Sequence, residues 1–356
     1  MMKHDSKISK ISQLLVLIVV SSVVSADDLA WSIKSRVIPP PAGASEALYQ
    51  SIASTPVPDP AAARTMFKND NAIDWNALIE ARSSARNSAA LDRAKSLGVS
   101  IKKREIDGVT IYHVDPKKVD PQFSNNVFLY VHGGAYVFGG GDASVSEAAV
   151  IASISKIRVI SVDYRMPPDD PFPAAVDDVV VVYKHLLEEK KVAKSIAIGG
   201  TSAGGGLALA AVHKFKALGL ALPGAIYAGT PWSDLTKTGD TLYTNEGLDR
   251  VLVTYDGLLG AAARLYANGH EMKDPLISPV YGDFSGFPPT YFVTGTRDMF
   301  LSDTARTHRK LKVAGVVADL NVYEGLSHAG YAFNLMSPES VQTYSEMRDF
   351  LLEHLD

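Results

Sequence analysis

The stretch Ser195-Ile196-Ala197-Ile198-Gly199-Gly200-Thr201-Ser202-Ala203-Gly204-Gly205-Gly206-Leu207 decides the fold. A short apolar run breaks into glycines, and a helix-forming Leu207-Ala208-Leu209-Ala210 follows. That is a strand, a tight turn and a helix in direct succession. Within the turn, Gly200, Ser202 and Gly204 form Gly-x-Ser-x-Gly. A serine held in a strained strand-to-helix turn needs small residues two positions to either side. The helix that starts after it aims N–H groups and the positive end of its dipole at any oxygen reacting there. Alone the pattern is weak, since ordinary Gly and Ser usage produces it by chance. The competing reading is a glycine-rich nucleotide loop or a plain turn, but the turn lacks Gly-x-Gly-x-x-Gly and a Walker lysine.

Working outward, apolar runs of strand character recur at 109–114, 127–131, 158–164, 195–198, 225–227, 290–293 and 318–323. Helical stretches separate them at 144–155, 174–189, 204–218, 302–314 and 339–354. Val127 to Val131 is apolar at every position, as in a strand buried on both faces. The alternation predicts an α/β fold: a mostly parallel twisted sheet covered by helices on both faces. Residues 27–103 show no strand pattern. Prolines 39–41, 56, 58 and 60 punctuate them, and 74–97 reads as one helix ending at Gly98. The expected organisation is a segment 1–26, a helical arm or cap over 27–105, and a main domain over 106–356. An insertion near 235–268 interrupts the alternation and adds to the cap.

Upstream of the serine turn, the strand Phe128-Leu129-Tyr130-Val131 runs into His132-Gly133-Gly134-Ala135-Tyr136. Glycines there let the backbone approach a ligand and turn N–H groups towards it. A tight turn with no ligand is the alternative. About seventy residues separate this run from Gly-Thr-Ser-Ala-Gly. Between them lie Asp163-Tyr164-Arg165-Met166-Pro167-Pro168 and Phe172-Pro173-Ala174-Ala175.

These four motifs, in this order, resemble the hormone-sensitive-lipase-like (bacterial family IV) carboxylesterases of the α/β-hydrolase superfamily, in the Gly-Thr-Ser-Ala-Gly subgroup. The resemblance runs from about Val127 to the C-terminus. It implies an α/β-hydrolase fold with a helical cap and a serine nucleophile, Ser202. The triad order of that fold is Ser, then Asp or Glu, then His. Of the late histidines, His308 and His354 fall in helical stretches, whereas His328 lies in a loop directly after a strand, so His328 is the expected base. The resemblance places the acid at Asp298; Asp303, five residues later, suits the start of the following helix. By motif position Gly133, Gly134, Ala135 and Ala203 make the oxyanion hole. Ala135 stands where the family often has a third glycine, and its donor survives that change if φ is negative. Asp163 and Arg165, with Asp177 and Asp178, read as a structural network beneath the oxyanion loop. Tyr136, Phe138 and Trp232 are expected to line the substrate pocket, with core packing as the alternative.

Composition bounds the rest. The chain has 356 residues, a net charge of −4 and no Cys. There is no block of basic residues, so a nucleic-acid surface is not expected. Absence of Cys excludes a disulfide framework, a thiol nucleophile and Cys-based metal sites. With no His-Glu-x-x-His, the reaction is expected to need no metal and no cofactor. Lys3, Lys7 and Lys10 precede the apolar run 14–20, and Val24-Ser25-Ala26 follows. This predicts a secretory signal, a secreted or periplasmic protein and no membrane span after cleavage; an uncleaved anchor is the alternative. The expected partner is a small-molecule ester, and a homodimer fits folds of this kind. The triad alone leaves lactonase, amidase and acyltransferase chemistry open, and a non-catalytic ligand-binding relative is a further alternative.

Overall fold

A computed structural model of the chain describes residue 35 and residues 37–356, save 190, 191 and 336. The chain divides into a unit Met1–Pro39 and a unit Pro40–Asp356. In the first, residues 35 and 37–39 form no regular element. The expected signal segment 1–26 and the start of the arm lie outside the described residues.

The second unit opens with three helices: α1 (Glu46–Ser54), α2 (Pro60–Met66) and α3 (Trp75–Ser96). Each begins at a side chain that caps it. The Ser45 hydroxyl accepts from Leu48 N–H at 3.2 Å, Asp59 precedes Pro60, and Asp74 accepts from Ala77 N–H at 3.0 Å. The chain then enters the sheet through β1 (Ser100–Ile106), β2 (Val109–Asp115), β3 (Val127–Val131) and, after α4 (Val145–Ser155), β4 (Arg158–Asp163). Next come α5 (Ala174–Glu188), β5 (Ile196–Thr201), α6 (Ala203–Ala217) and β6 (Ala225–Gly229). A long excursion carries α7 (Thr241–Thr244) and α8 (Gly260–Ala267). The chain closes with β7 (Thr290–Gly295), α9 (Leu301–Val313), β8 (Ala318–Tyr323), α10 (Gly330–Phe333) and α11 (Pro338–His354).

The eight strands form one sheet in the order β1-β2-β4-β3-β5-β6-β7-β8. The first two pairings, β1 with β2 and β2 with β4, are antiparallel; every other pairing is parallel. β3, β5, β6 and β7 are buried at every residue, which explains their unbroken apolar runs. One face carries α5, α6 and α9, packing residues such as Val176, Leu207 and Leu311; the other carries α4 and α11 through Val150, Ile151, Met347 and Leu351.

One sequence expectation is corrected. The arm does not run to 105, because β1 occupies the sheet edge from Ser100. Its sequence, Ser-Ile-Lys-Lys-Arg-Glu-Ile, exposes five of seven residues, so no apolar run marks it. A charged edge strand resists pairing with another chain. No helix among the described residues is long and apolar enough to cross a membrane.

Candidate active site

Ser202 stands between β5 and α6 with φ 63° and ψ −126°. This left-handed φ costs about 1–2 kcal/mol for an L residue. The backbone is clamped on both sides: Ser202 N–H donates to Gly229 O at 2.8 Å, and Ser202 O accepts from Trp232 N–H at 2.9 Å and Gly206 N–H at 3.1 Å. The flanking glycines have one shared cause. A Cβ at Gly200 would sit 2.0 Å from the Val131 carbonyl oxygen, and one at Gly204 2.1 Å from the same atom. The end of β3 thus fills the space beside the turn.

His328 lies in the loop between β8 and α10. Its Nε2 is 2.8 Å from Ser202 Oγ, and its Nδ1 is 3.0 Å from Asp298 Oδ1. Asp298 follows β7. Its Oδ2 accepts from the Thr294 hydroxyl at 2.7 Å and its Oδ1 from Phe300 N–H at 2.9 Å. Asp298 is fully buried and His328 nearly so. Phe300 meets the imidazole edge-on at 4.9 Å between centroids. Three residues far apart in sequence therefore form one continuous hydrogen-bonded chain, in an environment of low dielectric.

The loop after β3 lies against this chain. A Cβ at Gly133 would be 3.4 Å from Ser202 Cβ and 2.7 Å from Thr201 O. Gly134 has φ 126°, and a Cβ there would strike Phe138 O at 2.0 Å. Ala135 does not meet the condition set for it, since its φ is +55°. The turn is closed by bonds from Val137 and Phe138 N–H to Gly134 O, which wind Ala135 and Tyr136 into the left-handed region.

The motif residues between the two loops have structural partners. Asp163 accepts from Gly141 N–H at 2.8 Å. Arg165 pairs with Asp178 at 2.7 Å rather than with Asp163, and Asp177 faces Lys214 at 4.0 Å. Asp303 lies inside the first turn of α9 rather than capping it, and its Oδ2 accepts from Asp234 N–H at 3.2 Å.

A cavity of about 420 Å³ opens over Ser202 and His328. Its walls include Arg86, Ala89 and Arg93 of α3, Val251, Leu252 and Leu259 of the excursion before α8, and Ala332 and Phe333. Tyr136, Phe138 and Trp232, expected among these walls, are not there. They are 1%, 4% and 0% exposed. Tyr136 stacks on Tyr266 and Trp232 on Phe300, while Phe138 packs against Trp75 under the Arg82 guanidinium. Their size suits a support layer beneath the cavity, whose walls come from α3, the excursion before α8 and α10.

Two buried carboxylates escaped the sequence reading. Glu147 of α4 also lines the cavity. It accepts from Thr201 at 2.7 Å, Tyr130 at 2.9 Å, Tyr227 at 3.0 Å and Tyr344 at 3.1 Å, and burial raises its pKa above the ordinary value. Thr201 thus links the backbone beside Ser202 to this network. Asp249, on the loop after α7, is fully buried beside Asp298 and His328. Neither sits in a motif, so no signal in one sequence marks it.

Comparisons with known proteins agree with one another. A family described as having the alpha/beta hydrolase fold matches residues 128–332. An acetyl-hydrolase of Streptomyces hygroscopicus is 30% identical over 251 residues, covering 70% of this chain and 83% of that protein. An esterase of Acinetobacter venetianus is 30% identical over 227 residues, covering 64% of this chain and 75% of that one. Among solved structures, the crystal structure of an esterase E25 superposes with a TM-score of 0.88 at 48% identity, covering 92% of this chain and all of that one. An esterase from the bacterial hormone-sensitive lipase family superposes with a TM-score of 0.69 at 29% identity, covering 83% and 98%.

Proposed function

Since the chain belongs to the α/β-hydrolase fold family, among the bacterial hormone-sensitive-lipase-like esterases, and is a carboxylic ester hydrolase, we propose that Ser202, His328 and Asp298 carry its reaction through an acyl-enzyme. The single observation that carries this reading is His328 bridging Ser202 Oγ and Asp298 Oδ1.

His328 Nε2 takes the Ser202 proton as Oγ bonds to the ester carbonyl carbon. Asp298 holds the tautomer with Nδ1 protonated and stabilises the imidazolium that forms. The N–H groups of Gly133, Gly134 and Ala203 receive the negative charge on the carbonyl oxygen. Each such donor contributes about 3–4 kcal/mol in a water-poor cleft. The tetrahedral adduct collapses, the C–O bond to the alcohol breaks, and His328 protonates the leaving oxygen. Water, deprotonated by His328, then attacks the acyl carbon, and the acid leaves as Ser202 regains its proton.

The cavity volume and its apolar Val251, Leu252, Leu259 and Phe333 suit short acyl or small alkyl and aryl esters. The arm serves as a cap, because α3 supplies part of that wall. Residues 1–26 act as a secretory signal and send the enzyme out of the cytoplasm. The test is rapid mixing with p-nitrophenyl acetate. A burst of p-nitrophenol equal to the enzyme concentration, followed by slower turnover, supports the acyl-enzyme. Linear release at every enzyme concentration, combined with no trapped acyl-serine on acid quenching, refutes it.

A further inference from the structure

Asp249 is fully buried, and among the described residues it forms no ion pair. Its carboxylate is met by backbone N–H groups. Oδ1 accepts from Val251 at 2.9 Å and Leu252 at 3.2 Å. Oδ2 accepts from Met299 at 2.9 Å and His328 at 3.3 Å. Met299 follows the triad acid directly, and Val251 and Leu252 form part of the cavity wall. One side chain thus touches the acid loop, the base loop and the pocket loop. The same segment is latched twice more: the Asn245 amide donates to Asp298 O at 2.8 Å, and Arg250 N–H donates to Ser327 Oγ at 3.2 Å.

Burying a carboxylate without a cation costs several kcal/mol before its hydrogen bonds are counted. A neutral side chain of similar size would cap the loop alone at much lower cost. What it would lack is a pair of strong acceptors facing two directions at once. We propose that Asp249 is a positioning residue for ester hydrolysis, whose carboxylate sets the register between the Asp298 loop, the His328 loop and the Val251–Leu252 wall. The proposal rests on the triad reading above.

Its surroundings also tie it to pH. The titratable groups facing it are Asp298 and His328. On its own loop, Glu246 turns to Arg64 and Thr254, and Arg250 to the carbonyls of Thr55 and Pro56. Arg297, beside Asp298, interacts with Arg250 and Glu324. Burial first, and then the charge of Asp298, push the Asp249 carboxyl up to about 6. Mild acid therefore protonates it and weakens one of its two acceptors.

The experiment compares the full-length wild type with Asp249→Asn, using p-nitrophenyl acetate between about pH 5 and pH 9, beside thermal melting. The amide keeps the size but turns a donor onto N–H groups on one side. The expected result is a cooperative melt, a kcat about tenfold or more lower at pH 8, and an acid limb of kcat/KM displaced to lower pH. The limb moves because a negative charge beside His328 has gone. A variant with wild-type kcat, or with lower kcat and an unmoved limb, overturns the proposal. Should Asp249→Asn not fold, wild type carrying ¹³C-carboxyl aspartate supplies the readout. A buried carboxyl titrating near pH 6 in step with kcat upholds the proposal, and none doing so overturns it. Activity of the wild type separates the two readings: its absence counts against the triad assignment, its presence with an unaltered variant against Asp249 alone.

Discussion

Tyr164 stacks on the His132 ring at 4.0 Å between centroids, and its hydroxyl donates to the His132 carbonyl at 2.8 Å. The Asp-Tyr-Arg motif thereby reaches the loop that faces Ser202. Both rings are buried, and burial lowers the His132 pKa, so the stack holds a neutral imidazole near neutral pH. Tyr164→Phe keeps the stack and removes the bond, leaving the carbonyl unmet. The expected cost is about 1–2 kcal/mol in denaturant melts, with kcat reduced more than KM is raised. A variant of unchanged stability and kcat would show that the hydroxyl does not hold the loop.

The two residues after Gly133 should respond in opposite directions. Ala135 sits at φ +55°, where glycine is less strained, so Ala135→Gly is expected to retain hydrolysis and gain up to about 1 kcal/mol. Gly134→Ala drives a Cβ to 2.0 Å from Phe138 O and is expected to lose about 2 kcal/mol or more, along with activity. Equal effects of the two substitutions on melting and turnover would contradict the loop geometry.

Glu147 gives a signed pH dependence. Its folded pKa is raised above the ordinary 4.5 by burial, so the native state binds its proton more readily than the unfolded chain. That contribution is present at low pH and is lost as pH rises through the window above 4.5. Glu147→Gln removes the term. Melting temperatures of wild type minus variant should therefore fall as pH rises above about 4.5. A difference that rises with pH would reverse the sign and refute the argument.

The cavity wall should set acyl length. Leu252→Trp fills space in the cavity over Ser202. Relative to wild type, kcat/KM for p-nitrophenyl hexanoate should drop at least about tenfold more than that for the acetate. Equal losses on both esters would place the acyl chain elsewhere.

The parallel sheet could be read from the sequence because its strands are buried on both faces, and runs such as Val127–Val131 carry no polar interruption. Ser202 and His328 were legible because a strained turn and a post-strand loop each leave a local mark. Asp298 was reached by motif position. β1 was hidden because an edge strand rich in Lys and Arg has no apolar period to detect. The pocket walls were misassigned because large aromatics such as Trp232 are as apt for a support layer as for a surface. Asp249 and Glu147 left no trace, since their role depends on backbone amides and hydroxyls brought from distant loops. The left-handed Ala135 depends in the same way on two bonds to Gly134 O.

The most direct measurement is mass-spectrometric mapping of a fluorophosphonate adduct on the wild type, on His328→Ala and on Ser202→Ala. Only a serine activated by a neighbouring base attacks phosphorus rapidly. A single adduct on the Ser202 peptide of wild type, slowed by about a thousandfold or more in His328→Ala and absent from Ser202→Ala, is the predicted result. Rapid labelling that persists in Ser202→Ala, or an adduct mapped to another residue, would contradict the assignment of the nucleophile.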